Sequence, residues 1–153
     1  MSTESNKAIA RRFLEEVFGQ GKLAVADEIV APDHVDRGPG ALPGMPPGPE
    51  GSKMLVTGYR NAFPDIHFTI DEQIAEGDKV VTRWTGHGTH TGELAGIPAT
   101  GKSATVTGIG VDRIVNGKIV ESWGIFDQFG MLQQLASSPR QARLGSIAFW
   151  GAV

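Results

Sequence analysis

The hydrophobic pattern of this chain changes its period near residue 66. Before that point apolar residues recur every three to four positions, as on one face of an α-helix, and after it they alternate with polar residues, as along a β-strand. Helices followed by strands indicate an α+β fold, in which helices pack on one face of a sheet. A curved sheet closed by helices encloses a conical pocket of the kind that binds small ligands.

Three helices are predicted in the first half of the chain. Residues 5–18 form an amphipathic helix, with apolar residues at four-residue spacing and two glycines just beyond its end. A second helix covers residues 22–30 and is closed by Pro32. The third begins at Pro49 and ends before Pro64.

The segment between the second and third helices, residues 33–51, is the least regular part of the sequence. Its run of glycine and proline from residue 38 onward excludes both a helix and a central strand. Long loops in compact domains serve as lids or binding loops, or are disordered. Because Leu42 and Met45 give residues 37–51 apolar surface, we interpret this loop as a candidate lid.

Four strands are predicted after the period changes, over residues 67–74, 80–90, 105–115 and 118–126. Asn116-Gly117 is a strong signal for a tight hairpin between the last two, and the strands form an antiparallel meander. A short helix containing Leu132 and Leu135 follows.

The composition limits the classes of function. At 153 residues the chain is one domain, and its net charge of -3, with no dense basic window, argues against nucleic-acid binding. No apolar run is long enough for a membrane span, and the N-terminal segment does not resemble a signal peptide. Cysteine is absent, which excludes thiolate chemistry and fits a cytoplasmic protein. No phosphate-binding glycine motif or nucleophile elbow occurs.

Asp127 is the first candidate for catalysis. It stands between a strand and a short helix, with Phe126 and Phe129 nearby, and apolar surroundings would raise its pKa and suit a general acid or base. Alternatively, Asp127 caps the following helix by accepting backbone N–H groups. The two interpretations are equally supported and are compatible with each other.

Trp123 and Arg83 each allow two interpretations. Trp123 shares the strand parity of Asp127, so it either packs in the core, which needs no function, or forms a pocket wall beside the carboxylate. Arg83 alternates with its apolar neighbours and is expected on the outer face of the sheet. If that face lined the cavity, Arg83 would bind a carboxylate or enolate oxygen.

The chain contains four histidines, and their spacing argues against a metal site. His87 and His90 are three residues apart on one predicted strand, so their side chains leave opposite faces. No helical histidine pair with the spacing of a zinc site is present. Among the histidines His34, which precedes the candidate lid and lies between Asp33 and Asp36, has the strongest case for a catalytic role.

Several motifs in a fixed order carry a resemblance to a known family. They are Phe63-Pro64-Asp65-Ile66-His67, Glu76-Gly77-Asp78-Lys79, Gly88-Thr89-His90-Thr91-Gly92, Gly96-Ile97-Pro98, and Asn116-Gly117-Lys118-Ile119-Val120-Glu121-Ser122-Trp123, ending at Asp127. Over residues 5–136 the chain resembles the SnoaL-like polyketide cyclases, or ester cyclases, of the NTF2-like superfamily. The resemblance implies a single domain shaped as an α+β cone, with a curved, largely antiparallel sheet and an enclosed pocket. It also implies a homodimer or higher homo-oligomer.

The resemblance further implies a cofactor-free intramolecular aldol condensation on a hydrophobic polyketide ester. The aspartate matching Asp127 would then serve as acid and base, and His34 is our second catalytic candidate. Pocket positions implied by the resemblance are His34, His90 and Trp123, together with His67 and Arg83. We add Phe126, beside Asp127, and Tyr59, on the apolar face of the third helix, as candidate substrate-binding residues.

Two features depart from the family pattern. Gly110 stands where a characterised cyclase has a histidine on its third strand, which puts the polyketide substrate in question. The tail, residues 137–153, lies outside the resemblance. Its apolar end either covers a subunit contact or the pocket mouth, or is a frayed terminus.

Three classes of function therefore remain open, because a fold does not determine a function. The first is an acid/base enzyme on a hydrophobic carbonyl substrate, with cyclisation leading and isomerisation, epoxide hydrolysis or a hydroxylase-accessory role as alternatives. The second is a non-catalytic module that binds a small hydrophobic molecule. The third is an interaction domain that uses the exposed sheet.

Overall fold

The structure, a computed structural model, describes residues 2–136. Helix α1 (Thr3–Arg12) begins at Ser2, whose hydroxyl accepts a hydrogen bond of 3.1 Å from the backbone N–H of Ser5. It continues into a π-helical segment, Phe13–Gly19, so the helix predicted over residues 5–18 is confirmed with wider bounds. Three further helices are α2 (Leu23–Ile29), α3 (Pro49–Ala62) and α4 (Gln128–Leu135).

The predicted antiparallel meander is confirmed. It consists of β2 (His67–Glu76), β3 (Lys79–Thr89), β4 (Ser103–Val115) and β5 (Lys118–Phe126). Asn116 and Gly117, at the turn between β4 and β5, both have positive φ angles, as a tight hairpin requires.

A fifth strand was missed by sequence reasoning. Strand β1 (Val30–Asp36) lies at the sheet edge in the order β1-β5-β4-β3-β2 and pairs in parallel with β5. The prediction that residues 33–36 belong to an irregular loop is therefore wrong. Pro32 is tolerated because an edge strand leaves one row of N–H groups unpaired, and the register shifts between Val30 and Val35. This strand matters because it carries His34 and Asp36.

The core lies between the inner face of the sheet and the helices. Ala10 of α1 packs on Val80, Ile114 and Ile119, which lie on three neighbouring strands. Val17 in the π-helical segment and Val56 of α3 are both fully buried in a second cluster with α2. Burying each such side chain contributes about 1.5–3 kcal/mol. These contacts fix the helices over one part of the sheet and leave space over the rest.

Two sequence predictions concern a membrane-spanning helix and the C-terminal tail. Among the helices of residues 2–136, none combines the length and the apolar character that crossing a membrane requires. The predicted roles of the tail, residues 137–153, fall outside the described residues.

Candidate active site

Two adjoining cavities lie against the inner face of the sheet. The first, of about 160 Å³, has mainly apolar walls, and we call it the apolar cavity. The second, of about 130 Å³, contains histidine, serine, threonine and aspartate side chains, and we call it the polar cavity. Both are lined by Leu14, Asp36, Leu55, Trp84 and Gly124, so these five residues form a shared boundary.

Five aromatic rings form a closed circuit around the apolar cavity. Each ring contacts the next with centroids 5.0–6.3 Å apart, in the order Phe18, Tyr59, Phe126, Trp84, Phe68 and back to Phe18. Edge-on and tilted contacts of this kind add to the stability gained from burial. The structure places the predicted residues Tyr59 and Phe126 in this wall. Their contact with substrate stays a prediction.

Tyr59 is the polar member of the aromatic circuit. Burial raises the pKa of its phenol, and an interaction with Gln128 opposes that shift. Tyr59 therefore remains protonated at neutral pH and can donate a hydrogen bond inside an otherwise apolar wall.

A chain of hydrogen bonds runs across the polar cavity. The hydroxyl of Ser122 donates to Oδ1 of Asp112 over 2.6 Å, and Nε2 of His34 lies 2.9 Å from the same hydroxyl oxygen. Asp112 and Ser122 are register partners on β4 and β5, and Asp36 on β1 pairs with Ser122 from the other side. Three adjacent strands thus bring these groups together. We call His34, Ser122 and Asp112 the relay.

The surroundings of the relay shift the pKa values of both titratable members. Burial raises the pKa of Asp112 to about 6; the negative charge of Asp36 adds to this rise, and the Ser122 hydrogen bond opposes it. Burial lowers the pKa of His34, while Asp36 and Asp33 oppose that change. At neutral pH His34 is therefore neutral, and Asp112 is close to its own titration.

Two glycines form the backbone floor between the relay and the apolar cavity. Gly110 and Gly124 are register partners on β4 and β5, two residues along from the Asp112–Ser122 pair and therefore on the same face of the sheet. A Cβ atom on Gly124 would meet no atom within 4 Å, and one on Gly110 would meet only the Trp123 carbonyl at 4.0 Å. At Gly110, the position that departs from the histidine of the family pattern, there is thus open space beside the backbone.

The candidate lid, residues 37–51, contributes one residue to the wall of each cavity. Gly40 borders the apolar cavity and Met45 borders the polar one. Gly38 packs so closely on the backbone of Gly124 that a side chain at Gly38 would collide with it. At the end of the loop the N–H of Gly48 donates to the His34 carbonyl over 2.9 Å. Its contacts with both cavities fit a lid, and its movement stays a prediction.

Asp127 lies outside both cavities. Its carboxylate caps α4 by accepting a 2.8 Å hydrogen bond from the backbone N–H of Gly130, which confirms the capping interpretation. The residue is exposed, as is Phe129, so the prediction of apolar surroundings for this carboxylate is wrong. Strand β5 ends at Phe126, whose ring faces the apolar cavity. The next residue, Asp127, is the N-cap of α4. A catalytic role for Asp127 stays a prediction.

The other predicted site residues are dispersed. His90 is fully buried but borders neither cavity; its ring packs on Phe63, and its Nδ1 lies 3.0 Å from the Thr100 hydroxyl. It stabilises the connection between β3 and β4. His67 is exposed and packs on His87 of the neighbouring strand.

Strand alternation directs the side chains of Arg83 and Trp123 to the outer side of the sheet. Arg83 pairs with Glu72 at 3.4 Å and is half-exposed, as the outward interpretation predicts. Trp123 borders the polar cavity, yet it follows Ser122 directly, so strand alternation directs its side chain to the opposite face. Neither cavity is bordered by Arg83, His67 or His90, because the first two lie at exposed positions and His90 is buried in the core. Their contact with substrate stays a prediction.

Sequence reasoning missed Asp112, Ser122 and Asp36. Strand alternation gives a sequence signal for Asp112. It stands at even spacing from Gly108 and Gly110, which face inward, so its side chain is expected on the inner face of the sheet. Local sequence gives no signal for Asp36, because the pattern of residues 33–51 predicts an irregular loop where the end of β1 lies. Among residues 2–136, no group of three or more potential metal-ligating side chains is positioned to hold an ion.

A curved five-stranded sheet that closes with helices over an aromatic cavity, with a polar cavity beside it, defines a cone-shaped α+β fold. The chain belongs to the SnoaL-like polyketide cyclase family, whose model matches residues 8–135.

Relatives agree with this assignment. The chain is 33% identical over 138 residues to the aklanonic acid methyl ester cyclase DnrD of Streptomyces peucetius, covering 88% of this chain and 92% of that protein. It is 31% identical over 120 residues to the nogalonic acid methyl ester cyclase of Streptomyces nogalater, covering 77% and 88%. Among solved structures, TsrD from Streptomyces laurentii superposes with a TM-score of 0.81 at 26% identity, covering 90% of this chain and 99% of that one. IdmH from Streptomyces antibioticus superposes with a TM-score of 0.72 at 35% identity, covering 88% and 99%.

Proposed function

We propose that this protein is a cyclase-type enzyme that performs acid/base chemistry on a hydrophobic carbonyl compound. The observation that carries the proposal is the shared boundary between the apolar and polar cavities. A ligand whose apolar body fills the aromatic circuit can extend its polar end across Trp84 and Gly124 to the relay. The two cavities thus orient a substrate that has one apolar and one carbonyl-bearing end.

The proposed reaction is an intramolecular aldol cyclisation in which the aldol addition closes the ring without loss of water. A base removes a proton from the carbon next to one carbonyl group, and that carbon forms a bond to a second carbonyl carbon of the same molecule. The electron pair of the second C=O bond moves to its oxygen, which receives a proton from the protein. Because only protons are exchanged, the reaction consumes no electrons and we propose that it needs no cofactor. Holding both carbonyl groups in one shaped cavity supplies the orientation.

The names of two relatives specify methyl ester cyclases, which supports a polyketide methyl ester as the substrate class. The direct test is to incubate the purified protein with aklanonic acid methyl ester or nogalonic acid methyl ester, with no cofactor added. We expect an isomer of unchanged mass, separated by chromatography. The same yield in the presence of a chelator supports chemistry by the protein's own side chains.

A matched pair of variants assigns the activity to the cavity. Phe126 belongs to the aromatic circuit, whereas Phe129 is 51% exposed on α4 and borders neither cavity. We expect Phe126→Ala to weaken ester binding at least tenfold and Phe129→Ala to leave it within twofold, because a buried aromatic ring contributes a few kcal/mol. Equal effects of the two substitutions would contradict binding in the apolar cavity.

The apolar cavity also supports the alternative of a non-catalytic binding module, because it has the walls of a ligand site without needing the relay. Binding of the esters that is lost in Phe126→Ala, with no isomer formed over hours, would favour this alternative. Isomerase and epoxide hydrolase activities use the same acid/base groups, so a panel of small ketones and epoxides belongs in the same assay.

A further inference from the structure

We propose that Asp112 is the acid/base group of this site and that Ser122 and His34 are its positioning residues. The proposal deepens the proposed function, on which it rests for the class of reaction. It assigns proton transfer to a carboxylate inside the polar cavity rather than to Asp127, which lies outside both cavities.

The hydrogen bonds fix the orientation of the carboxylate. Ser122 has one hydroxyl hydrogen, which it donates to Oδ1 of Asp112, so Nε2 of His34 must carry the hydrogen in the 2.9 Å contact with the Ser122 oxygen. Because His34 is buried and neutral, the relay ends in a neutral donor rather than a second charge. With Oδ1 occupied by Ser122, Oδ2 is left as the oxygen for proton transfer.

The negative charge of Asp36 on β1, two strands away from β4, also raises the pKa of the Asp112 carboxyl group. Asp36 borders both cavities, and its negative charge opposes ionisation of Asp112, as burial also does. The result is a carboxyl group whose pKa is about 6. Such a group is largely ionised at neutral pH, so it can accept a proton. It also binds that proton more tightly than an exposed aspartate does, and an acid/base group that must accept and then return a proton needs both properties.

The glycine floor gives the substrate access to Asp112. Asp112 lies two residues beyond Gly110 on β4, a separation of roughly 7 Å on the same face of the strand. Neither Gly110 nor Gly124 obstructs the path from the boundary to the carboxylate. The titratable group therefore sits one strand repeat along from the position where the resemblance implied a histidine.

The proposed step follows from this geometry. The Asp112 carboxylate takes the proton from the carbon next to the substrate carbonyl, and the resulting enolate carbon bonds to the second carbonyl carbon. The protonated Asp112 then returns its proton to the alkoxide oxygen formed there. The carboxylate is regenerated, and the product is an isomer of the substrate.

A small carbon acid tests the base without knowledge of the natural substrate. In nitrobenzisoxazole a base removes the ring C–H proton, the N–O bond breaks as a nitrile forms, and a coloured nitrophenolate is released. We expect the protein to accelerate this reaction, with a rate that rises with pH around a midpoint of about 6. We expect Asp112→Asn, which keeps the acceptor for Ser122, to lower the rate about 100-fold. Asp127→Asn, the matched control, should change it less than twofold.

Two further variants separate chemistry from structure by shifting the midpoint in opposite directions. Asp36→Asn removes the nearby negative charge and keeps the oxygen that accepts the Gly38 N–H, so the midpoint should move down. Ser122→Ala removes the hydrogen bond that favours the ionised form, so the midpoint should move up. A merely structural role for these residues would leave the midpoint unchanged.

The outcomes distinguish this proposal from the proposed function. If the protein cyclises a methyl ester and Asp112→Asn retains full activity on both the ester and nitrobenzisoxazole, the assignment of Asp112 is overturned while the cyclase function survives. If no ester is converted but the nitrobenzisoxazole rate depends on Asp112 with the predicted pH midpoint, the base is supported and the proposed cyclisation is rejected. A rate that follows Asp127 instead also overturns the proposal.

Discussion

The Ser122 hydroxyl oxygen lies 2.6 Å from Oδ1 of Asp112, its register partner on the neighbouring strand, in a cavity that also contains the negative charge of Asp36. The serine hydrogen bond favours the ionised carboxylate, whereas burial and the second carboxylate favour the protonated form. Burial and the charge of Asp36 outweigh the serine hydrogen bond, so the pKa of Asp112 is raised to about 6. This balance has measurable consequences for folding as well as for chemistry.

The raised pKa of Asp112 predicts a pH-dependent loss of stability. The unfolded carboxyl group titrates near 3.8, whereas the folded one holds its proton until about 6, so between these values the folded state binds more protons. The contribution of this group is therefore fully present below pH 3.8 and lost as pH rises through 6. The linked change is about 3 kcal/mol.

Asp112→Asn isolates this contribution, because asparagine does not titrate and keeps the serine contact. We expect the free energy of unfolding of the natural protein, minus that of the variant, to fall as pH rises from 4 to 7. Urea unfolding at several pH values measures the difference. A difference that stays flat across this range would contradict the raised pKa.

Asp127 predicts a separable effect on stability. Its carboxylate satisfies the backbone N–H of Gly130 at the start of α4, and an N-cap of this kind contributes about 1 kcal/mol. We expect Asp127→Ala to lower the free energy of unfolding by about that amount and Asp127→Ser to retain most of it. Thermal or urea unfolding of the two variants provides the measurement.

The same position tests the original catalytic hypothesis for Asp127. Because the residue is exposed and borders neither cavity, we expect Asp127→Asn to turn over a methyl ester at nearly the natural rate. A loss of about 100-fold in that variant, with unfolding unchanged, would instead support acid/base catalysis by Asp127.

The order of elements and the meander could be predicted because local signals agree with the final structure. The helical period of residues 5–18, the Asn116-Gly117 turn and the alternation of β5 all reflect forces within one element or one hairpin. Strand β1 could not be predicted this way. It exists because parallel pairing with β5, more than 80 positions later in the chain, compensates for the local signal of Pro32.

The site shows the same division between local and long-range information. The apolar face of its own helix is enough to predict Tyr59 as a cavity residue, and Phe126 was included only for its position beside Asp127. The relay joins residues from three strands, and one of its contacts spans 88 positions, so no local pattern reveals it. The sequence predicts apolar surroundings for the Asp127 carboxylate because two phenylalanines stand nearby. In the structure neither ring covers it, since Phe126 faces the apolar cavity and Phe129 is exposed to solvent.

The outer face of the sheet predicts self-association. Ile74, Ile109 and Ile125 are 58%, 44% and 57% exposed, and Ile109 and Ile125 are register partners. The register aligns Ile74, Val81, Val111 and Trp123 in one row across four strands, next to the Ile109–Ile125 pair. This apolar row ends beside the exposed Arg83–Glu72 ion pair, since Arg83 is the register partner of Ile109. An apolar patch with a polar rim fits a second copy of the same face, in line with the homodimer or higher homo-oligomer that the family resemblance implies.

We therefore expect a dimer in light scattering at micromolar concentration. Ile109→Glu should shift it to monomer, because the new charge would be buried against its symmetry mate. Met54→Glu is the matched control: Met54 is 40% exposed on helix α3, away from this face. A monomer in the natural protein, or equal behaviour of the two variants, would contradict association through the sheet.

The glycine floor predicts how the site discriminates between ligands by size. A side chain at Gly124 would enter open space at the boundary of the two cavities, and Gly124 has no positive φ angle, so a β-branched residue fits the strand there. Gly124→Val should therefore fold but narrow the passage to Asp112. We expect at least tenfold weaker binding of a methyl ester long enough to reach both cavities, measured by calorimetry.

Two controls define this last prediction. Gly58→Ala on the exposed side of α3 also enters open space but borders neither cavity, so it should leave binding unchanged. Gly108→Ala would collide with the indole of Trp84 and should destabilise the fold itself. A Gly124→Val variant that binds long and short ligands with unchanged affinity would mean that the substrate does not cross the boundary, and the path from the aromatic circuit to Asp112 would have to be abandoned.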